Sequence, residues 1–128
     1  MSIMLKIRWE IAPGREDDFR VNQKALCAVM RDDHPGVICY HVDYPDPGVS
    51  EWVEIYASDE VFRAHLANDK GKAPLGTLIG ACAKIICRCW GNPDPESRKI
   101  LEGFGTTYQD TAEASFSLHP RADPASRV

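Results

Sequence analysis

In the stretch EWVEIYASDEVFRAHLAN, residues 51–68, an indole, a carboxylate and a phenol stand at every second position, as Trp52, Glu54 and Tyr56. An imidazole, His65, follows nine residues after the tyrosine. Strand side chains at i, i+2 and i+4 share a face, so the first three project into one space, which is either core or pocket. Two flat rings can hold a third ring between them. An imidazole with an unperturbed pKa of about 6.5 can take or give a proton near neutrality. A lone histidine on a helix flank is most often a partly exposed polar residue, and aromatics favour strands whether or not they bind anything. Glu54 is the more telling residue, because a carboxylate between two aromatics on a covered face costs free energy unless it is paired.

Other spacings that could carry chemistry are weaker. His41 and Asp43 form an H-x-D pair on a strand, as in two-histidine-one-carboxylate iron sites, but the larger all-β scaffold and distal histidine of such sites are missing. Cys87 and Cys89 lie two apart on an expected strand, which is not the loop-borne C-x2-C geometry of zinc sites. Gly103-Phe104-Gly105 lacks the third glycine and the strand-turn-helix context of a dinucleotide loop. No metal and no cofactor is expected from these residues.

The elements that must position the first set read as follows. Ile3, Leu5, Ile7 and Trp9 alternate with polar or exposed neighbours, the period-two pattern of a first strand. Pro13-Gly14 breaks it, and residues 15–32 place Phe19, Leu26, Val29 and Met30 on a helical stripe. His34-Pro35-Gly36 ends that helix. Residues 37–44 and 51–57 read as a hairpin around Pro45-Asp46-Pro47-Gly48. A turn centred near residues 47 and 48 sets His41 opposite Glu54 and Cys39 opposite Tyr56, which adds His41 to the candidate site. Ser58 caps a second helix, with Asp59 and Glu60 at its positive end. Residues 68–80 read as irregular or a short helix, and residues 82–90 as a fourth strand.

The order βαββαβ predicts a ferredoxin-like α+β domain over residues 1–91, one four-stranded antiparallel sheet with both helices on one face. Apolar residues such as Val53 and Ile55 on the other face call for cover, and a second copy of the sheet is the economical answer, a homodimer. Residues 92–128 are expected to form a C-terminal extension that is partly helical. Its apolar residues, among them Phe104, Tyr108, Phe116 and Leu118, suit packing on the partner subunit, with the last eight or so residues frayed.

Composition narrows the class. The 128 residues suffice for one core, and 44% hydrophobic with 27% charged content is ordinary for a globular chain. With 15 basic and 19 acidic residues, and no dense basic cluster, nucleic acid is not an expected partner. MSIMLKIRWE lacks the long apolar run of a signal peptide or membrane span, and five cysteines in apolar stretches suit a reducing compartment, so a cytoplasmic location is expected.

The run E-W-V-E-I-Y-A-S-D-E-V-F-R-A-H-L-A-N, preceded by K-I-R-W-E-I-A-P-G-R-E-D-D-F, resembles the antibiotic biosynthesis monooxygenase (ABM) domain family over about residues 3 to 90. The resemblance implies a dimeric α+β barrel and, in many members, oxidation of quinols, anthrones or related phenols by O2 without flavin or metal. A haem-degrading branch of the superfamily uses an asparagine, a tryptophan and a histidine where this chain aligns Ile7, Tyr56 and Leu75, so haem degradation is disfavoured. In the ABM chemistry the electron-rich anion of the substrate reduces O2 itself. His65 would accept the proton, Glu54 would orient it or act as auxiliary acid-base group, and Tyr56 with Trp52 would wall the ring, with Trp9 and His41 beside them. The expected function is a cofactor-independent monooxygenase acting on a small electron-rich aromatic. The rivals are a non-oxidative ligand-binding or isomerase-type stress protein on the same scaffold, and a dimeric interaction module.

Overall fold

The computed structural model describes residues 2–109. Its elements run β1 (Ile3–Ile11), α1 (Glu16–Asp33), β2 (Val37–Asp46), β3 (Val49–Tyr56), α2 (Asp59–Ala67), α3 (Asp69–Gly80), β4 (Cys82–Trp90), α4 (Pro95–Glu102) and β5 (Thr107–Gln109). One sheet holds all five strands in the order β2-β3-β1-β4-β5. The first four are antiparallel neighbours in ferredoxin-like order, the α+β arrangement expected. A fifth strand was not expected. β5 pairs parallel with β4, and α4 supplies the crossover that a parallel neighbour requires.

Alternation explains which face is covered. Ile3, Leu5, Trp9 and Ile11 of β1, with Ser50, Trp52, Glu54 and Tyr56 of β3, are buried beneath the helices, while Lys6 and Arg8 stand exposed on the other face. α1 turns Phe19, Leu26 and Met30 down onto the sheet, and α2 contributes Phe62 and His65. Ser58 caps α2 by accepting a hydrogen bond from the Val61 amide at 3.3 Å.

Residues 68–80, expected to be irregular or a short helix, form α3, a 12-residue helix. Asn68 caps it by accepting the Lys70 amide at 3.0 Å. Pro74 removes one amide donor, yet its usual partner carbonyl belongs to exposed Lys70. Gly71 is buried with Leu26 Cδ1 only 3.3 Å from where a Cβ would stand, so its lack of a side chain lets α3 approach α1.

The core divides into two clusters. One gathers Ile3, Leu5, Tyr56, Phe62, Cys87 and Leu101. The other gathers Trp9, Phe19, Leu26, Trp52 and Leu78. Ile7 and Tyr40 pack against both.

Candidate functional site

A hollow lies where the two clusters meet, between the helices and the sheet. Its sheet wall is formed by Trp9, Tyr40, Trp52, Glu54 and Tyr56, and its helix wall by Phe62, His65, Leu66 and Leu75. It encloses about 490 Å³ including its mouth, of which about 40 Å³ is open to the centre of a water-sized sphere. That admits a few waters, since one needs about 10–15 Å³. A flat ring therefore enters only when lining side chains turn aside, and Leu66, Leu75 and Phe104 are among the half-buried ones.

Strand β3 builds the centre of the wall by alternation. Trp52 is 1% exposed and donates its indole N–H to Ser50 Oγ at 2.7 Å, which leaves its ring as a purely apolar floor. Two residues on, Glu54 is buried and accepts a hydrogen bond from the Tyr56 hydroxyl. The carboxyl that the sequence marks as costly to bury is therefore paired with a neutral donor, not an ion. Trp9 tilts against Trp52 with ring centroids 4.9 Å apart, and Tyr40 meets it edge-on at 5.5 Å. Across the hollow His65 lies nearly parallel to the Tyr56 ring at 6.1 Å and meets His34 edge-on at 5.5 Å.

The electrostatics follow from burial. Desolvation pushes the Glu54 carboxyl up to about 7, with the Tyr56 hydrogen bond pulling the other way. Desolvation, joined by the charge on His34, pulls the His65 imidazole down to about 4. Tyr56 and Tyr40 are held well above the ordinary phenol value, first by burial and then by the Glu54 charge. Burial likewise pushes the Cys87 thiol up to about 11. Near pH 7 the hollow thus holds a neutral imidazole, neutral phenols, a neutral thiol and a carboxyl poised between its two forms. Among the described residues no Lys or Arg lines it. Three buried polar atoms of its lining residues have no hydrogen-bond partner among the described residues: Trp9 Nε1, Tyr40 Oη and His65 Nδ1.

Of the residues singled out in the sequence, the structure brings Trp9, Trp52, Glu54, Tyr56 and His65 to one hollow. His41 is not among them. The β2–β3 register runs Tyr40↔Glu54 and His41↔Val53, one residue from the expected pairing, because a bulge between Asp43 and Asp46 absorbs the difference. A one-residue slip reverses every side chain, so His41 stands exposed on the opposite face and Tyr40 takes its place over Glu54. Tyr40 is the residue that sequence reasoning missed. Its signal was the β2 alternation Tyr40, Val42, Tyr44, the half-buried set on that strand. Among the described residues no group of three or more His, Cys, Asp or Glu could hold a metal ion. Nor, among them, is any helix long and apolar enough to cross a membrane.

No protein-family model matches the chain, and no curated protein matches it in sequence. Solved structures do share its fold. A candidate antibiotic biosynthesis monooxygenase from Caulobacter crescentus superposes with a TM-score of 0.64 at 20% identity, covering 73% of this chain and 91% of the other. One from Nitrosomonas europaea gives 0.60 at 14% identity, covering 72% and 98%. MupZ from Pseudomonas fluorescens gives 0.69 at 18% identity, covering 97% of this chain and 96% of its own. The chain has the ferredoxin-like fold of the proteins assigned to the antibiotic biosynthesis monooxygenases.

Proposed function

We propose that this chain is a cofactor-independent monooxygenase that oxidises a small electron-rich aromatic, a quinol or an anthrone, with O2. The observation that carries the reading is the hollow itself, walled by aromatic rings, free of fixed charge, and holding a carboxyl whose pKa of about 7 matches the proton transfer the chemistry needs. The substrate lies against Trp52 and Trp9 and gives its proton to Glu54. Tyr56 holds that carboxyl by its hydrogen bond. The dry wall leaves the resulting anion weakly solvated and electron-rich, so it passes an electron to O2. One oxygen atom enters the ring and the other leaves as water, which for an anthrone turns a methylene into a carbonyl.

The roles of the two acid-base groups are thereby reversed from the sequence expectation. Burial favours the neutral form of His65, which makes it a poor base at pH 7 but leaves its unpartnered Nδ1 able to hydrogen-bond the substrate. The same reading includes a homodimer joined through the uncovered sheet face. An isomerase reading stays in view because a carboxyl beside a phenol also suits enolisation of a carbonyl compound.

Oxygen-electrode measurements on purified, metal-stripped protein with a panel of quinols and anthrones test the proposal. Uptake above the uncatalysed rate is expected. No uptake across the panel sinks it, and oxygen-independent turnover of a carbonyl substrate would favour the isomerase.

A further inference from the structure

The two tryptophans of the hollow differ in one respect that their burial does not explain. Trp52 has its indole N–H tied to Ser50, whereas Trp9, 2% exposed, has a buried N–H with no partner among the described residues. Buried polar groups in folded proteins are nearly always bonded, and leaving one unpaired costs stability. Tyr40 repeats the anomaly. Its hydroxyl is buried, and among the described residues no atom meets it in good hydrogen-bond geometry. The Cys27 thiol lies within reach, but its sulfur already takes the Gln23 amide at 3.0 Å and is a weak partner in any case.

The sheet register sets these two atoms on opposite flanks of one floor. Trp9 of β1 pairs with Ser50 and Tyr40 of β2 pairs with Glu54, so along β3 they are four residues apart, with Trp52 midway between. Strands β1 and β2 lie on either side of β3. Trp9 and Tyr40 therefore straddle the Trp52 ring diagonally, about 13 Å apart along the strand at their backbones, and both lean in to touch it.

We propose that Trp9 and Tyr40 are specificity-determining residues whose free N–H and O–H hold two oxygen substituents at opposite edges of an uncharged flat ligand lying on Trp52. Trp9 can only donate, so the oxygen it meets must accept; Tyr40 can do either. Because no Lys or Arg among the described residues lines the hollow, and Glu54 adds negative charge when ionised, an anionic ligand would lose its hydration without a counter-ion and is rejected. This deepens the proposed function, resting on it for the aromatic character of the ligand, and predicts a substrate oxygenated at both ends and lacking a carboxylate.

Calorimetric titration under nitrogen tests it with three probes: 1,5-dihydroxynaphthalene, 1-naphthol and 5-hydroxy-1-naphthoate. The wild type should bind the diol about tenfold more tightly than either of the other two. Trp9→Phe and Tyr40→Phe, which remove one polar atom each and keep the ring, should each weaken diol binding about 5- to 10-fold. Without ligand, both variants should melt at the wild-type temperature or above, because each loses an unpaired buried group. The proposal is overturned if the diol does not bind, if the diol and 1-naphthol bind equally, if both variants keep wild-type affinity, or if either variant melts well below the wild type. Oxygen consumption plays no part in the measurement, so the oxidative reading can fail while the polar recognition stands.

Discussion

Burial moves the two titratable side chains of the hollow in opposite directions, and the consequence is measurable in stability. Folded Glu54 holds its proton more tightly than the unfolded chain does, so its contribution is fully present below about pH 4.5 and lost as pH rises through about 7. Folded His65 holds its proton less tightly, so its contribution is present above about pH 6.5 and lost as pH falls through about 4. Between about pH 4.5 and 6.5 the two slopes cancel. Glu54→Gln should unmask the histidine, leaving stability that climbs from pH 4 to 6.5, and His65→Gln should unmask the carboxyl, leaving stability that falls from pH 4.5 to 7. Each excursion is on the order of 3 kcal/mol at most, read as the difference from wild type in urea unfolding at half-unit pH steps. Differences that do not change with pH would remove the opposed pair. The same two substitutions divide the catalytic roles. If Glu54 is the base, Glu54→Gln cuts turnover by about 10²-fold or more and abolishes the rise of kcat/KM with pH through about 7. His65→Gln then costs about tenfold and keeps that rise. The reverse outcome would return the proton to the imidazole.

At the scale of elements, the position of α2 decides whether Phe62, His65 and Leu66 face the sheet, and α2 is stitched to α4. Arg63 of α2 donates to Asp94 at 2.5 Å and to the buried Ser97 hydroxyl at 3.1 Å, while Asp59 accepts the Asp94 amide at 2.8 Å. Asp94 also caps α4 by accepting the Ser97 amide at 2.9 Å. Asp94→Ala removes cap and ion pair together and should lower the melting temperature more than Asp94→Asn, which keeps a capping oxygen. Equal melting of the two variants would reduce the stitch to its charge alone. The link that delivers α4 depends on Gly91, whose φ of +99° and missing side chain let the chain pass Ser2, where a Cβ would meet the carbonyl oxygen at 2.6 Å. Gly91→Ala should therefore cost about 2 kcal/mol in urea unfolding. The first four strands and the first two helices were legible because alternation and capping are local: Ile3, Leu5 and Trp9 alternate, and Ser58 precedes two acidic residues. The bulge in β2 was not, because nothing in Asp43-Tyr44-Pro45-Asp46 fixes which residue is skipped, and that one residue exchanged His41 for Tyr40 in the site. β5 escaped notice because a three-residue strand has no period of its own; it is held by α4, through Arg98 stacked 4.3 Å over the Tyr108 ring. Glu54 was legible as an anomaly, but its partner was not, since Tyr56 could be seen only as another ring.

At the scale of the molecule, the described helices cover one face of the sheet, and among the described residues nothing covers the other. That face is mixed. Ile86 is 36% exposed and Val53 and Ile55 are half-buried, and around them stand Lys6, Arg8, Glu51 and Arg88, with Arg8 reaching Glu51 at 3.1 Å. Isolated exposed apolar residues need no explanation, but these stand on both strands that flank β1, on the face that no described helix covers, and that placement suits a partner. Lys6 and Arg8 do not argue against a partner, because long basic side chains lay their methylene stems on apolar surface and keep their charges at the rim. In the proposed homodimer Ile86 would meet its counterpart or a neighbour of it across a two-fold axis, so one substitution acts twice. Ile86→Glu places two carboxylates in that interface. Sedimentation at micromolar concentration should then give twice the chain mass for the wild type and the single chain mass for the variant. The hollow lies on the other face, so the variant should still bind the naphthalenediol. A wild type that sediments as a monomer throughout would mean that the mixed face is simply solvated, and the site would have to work within a single copy.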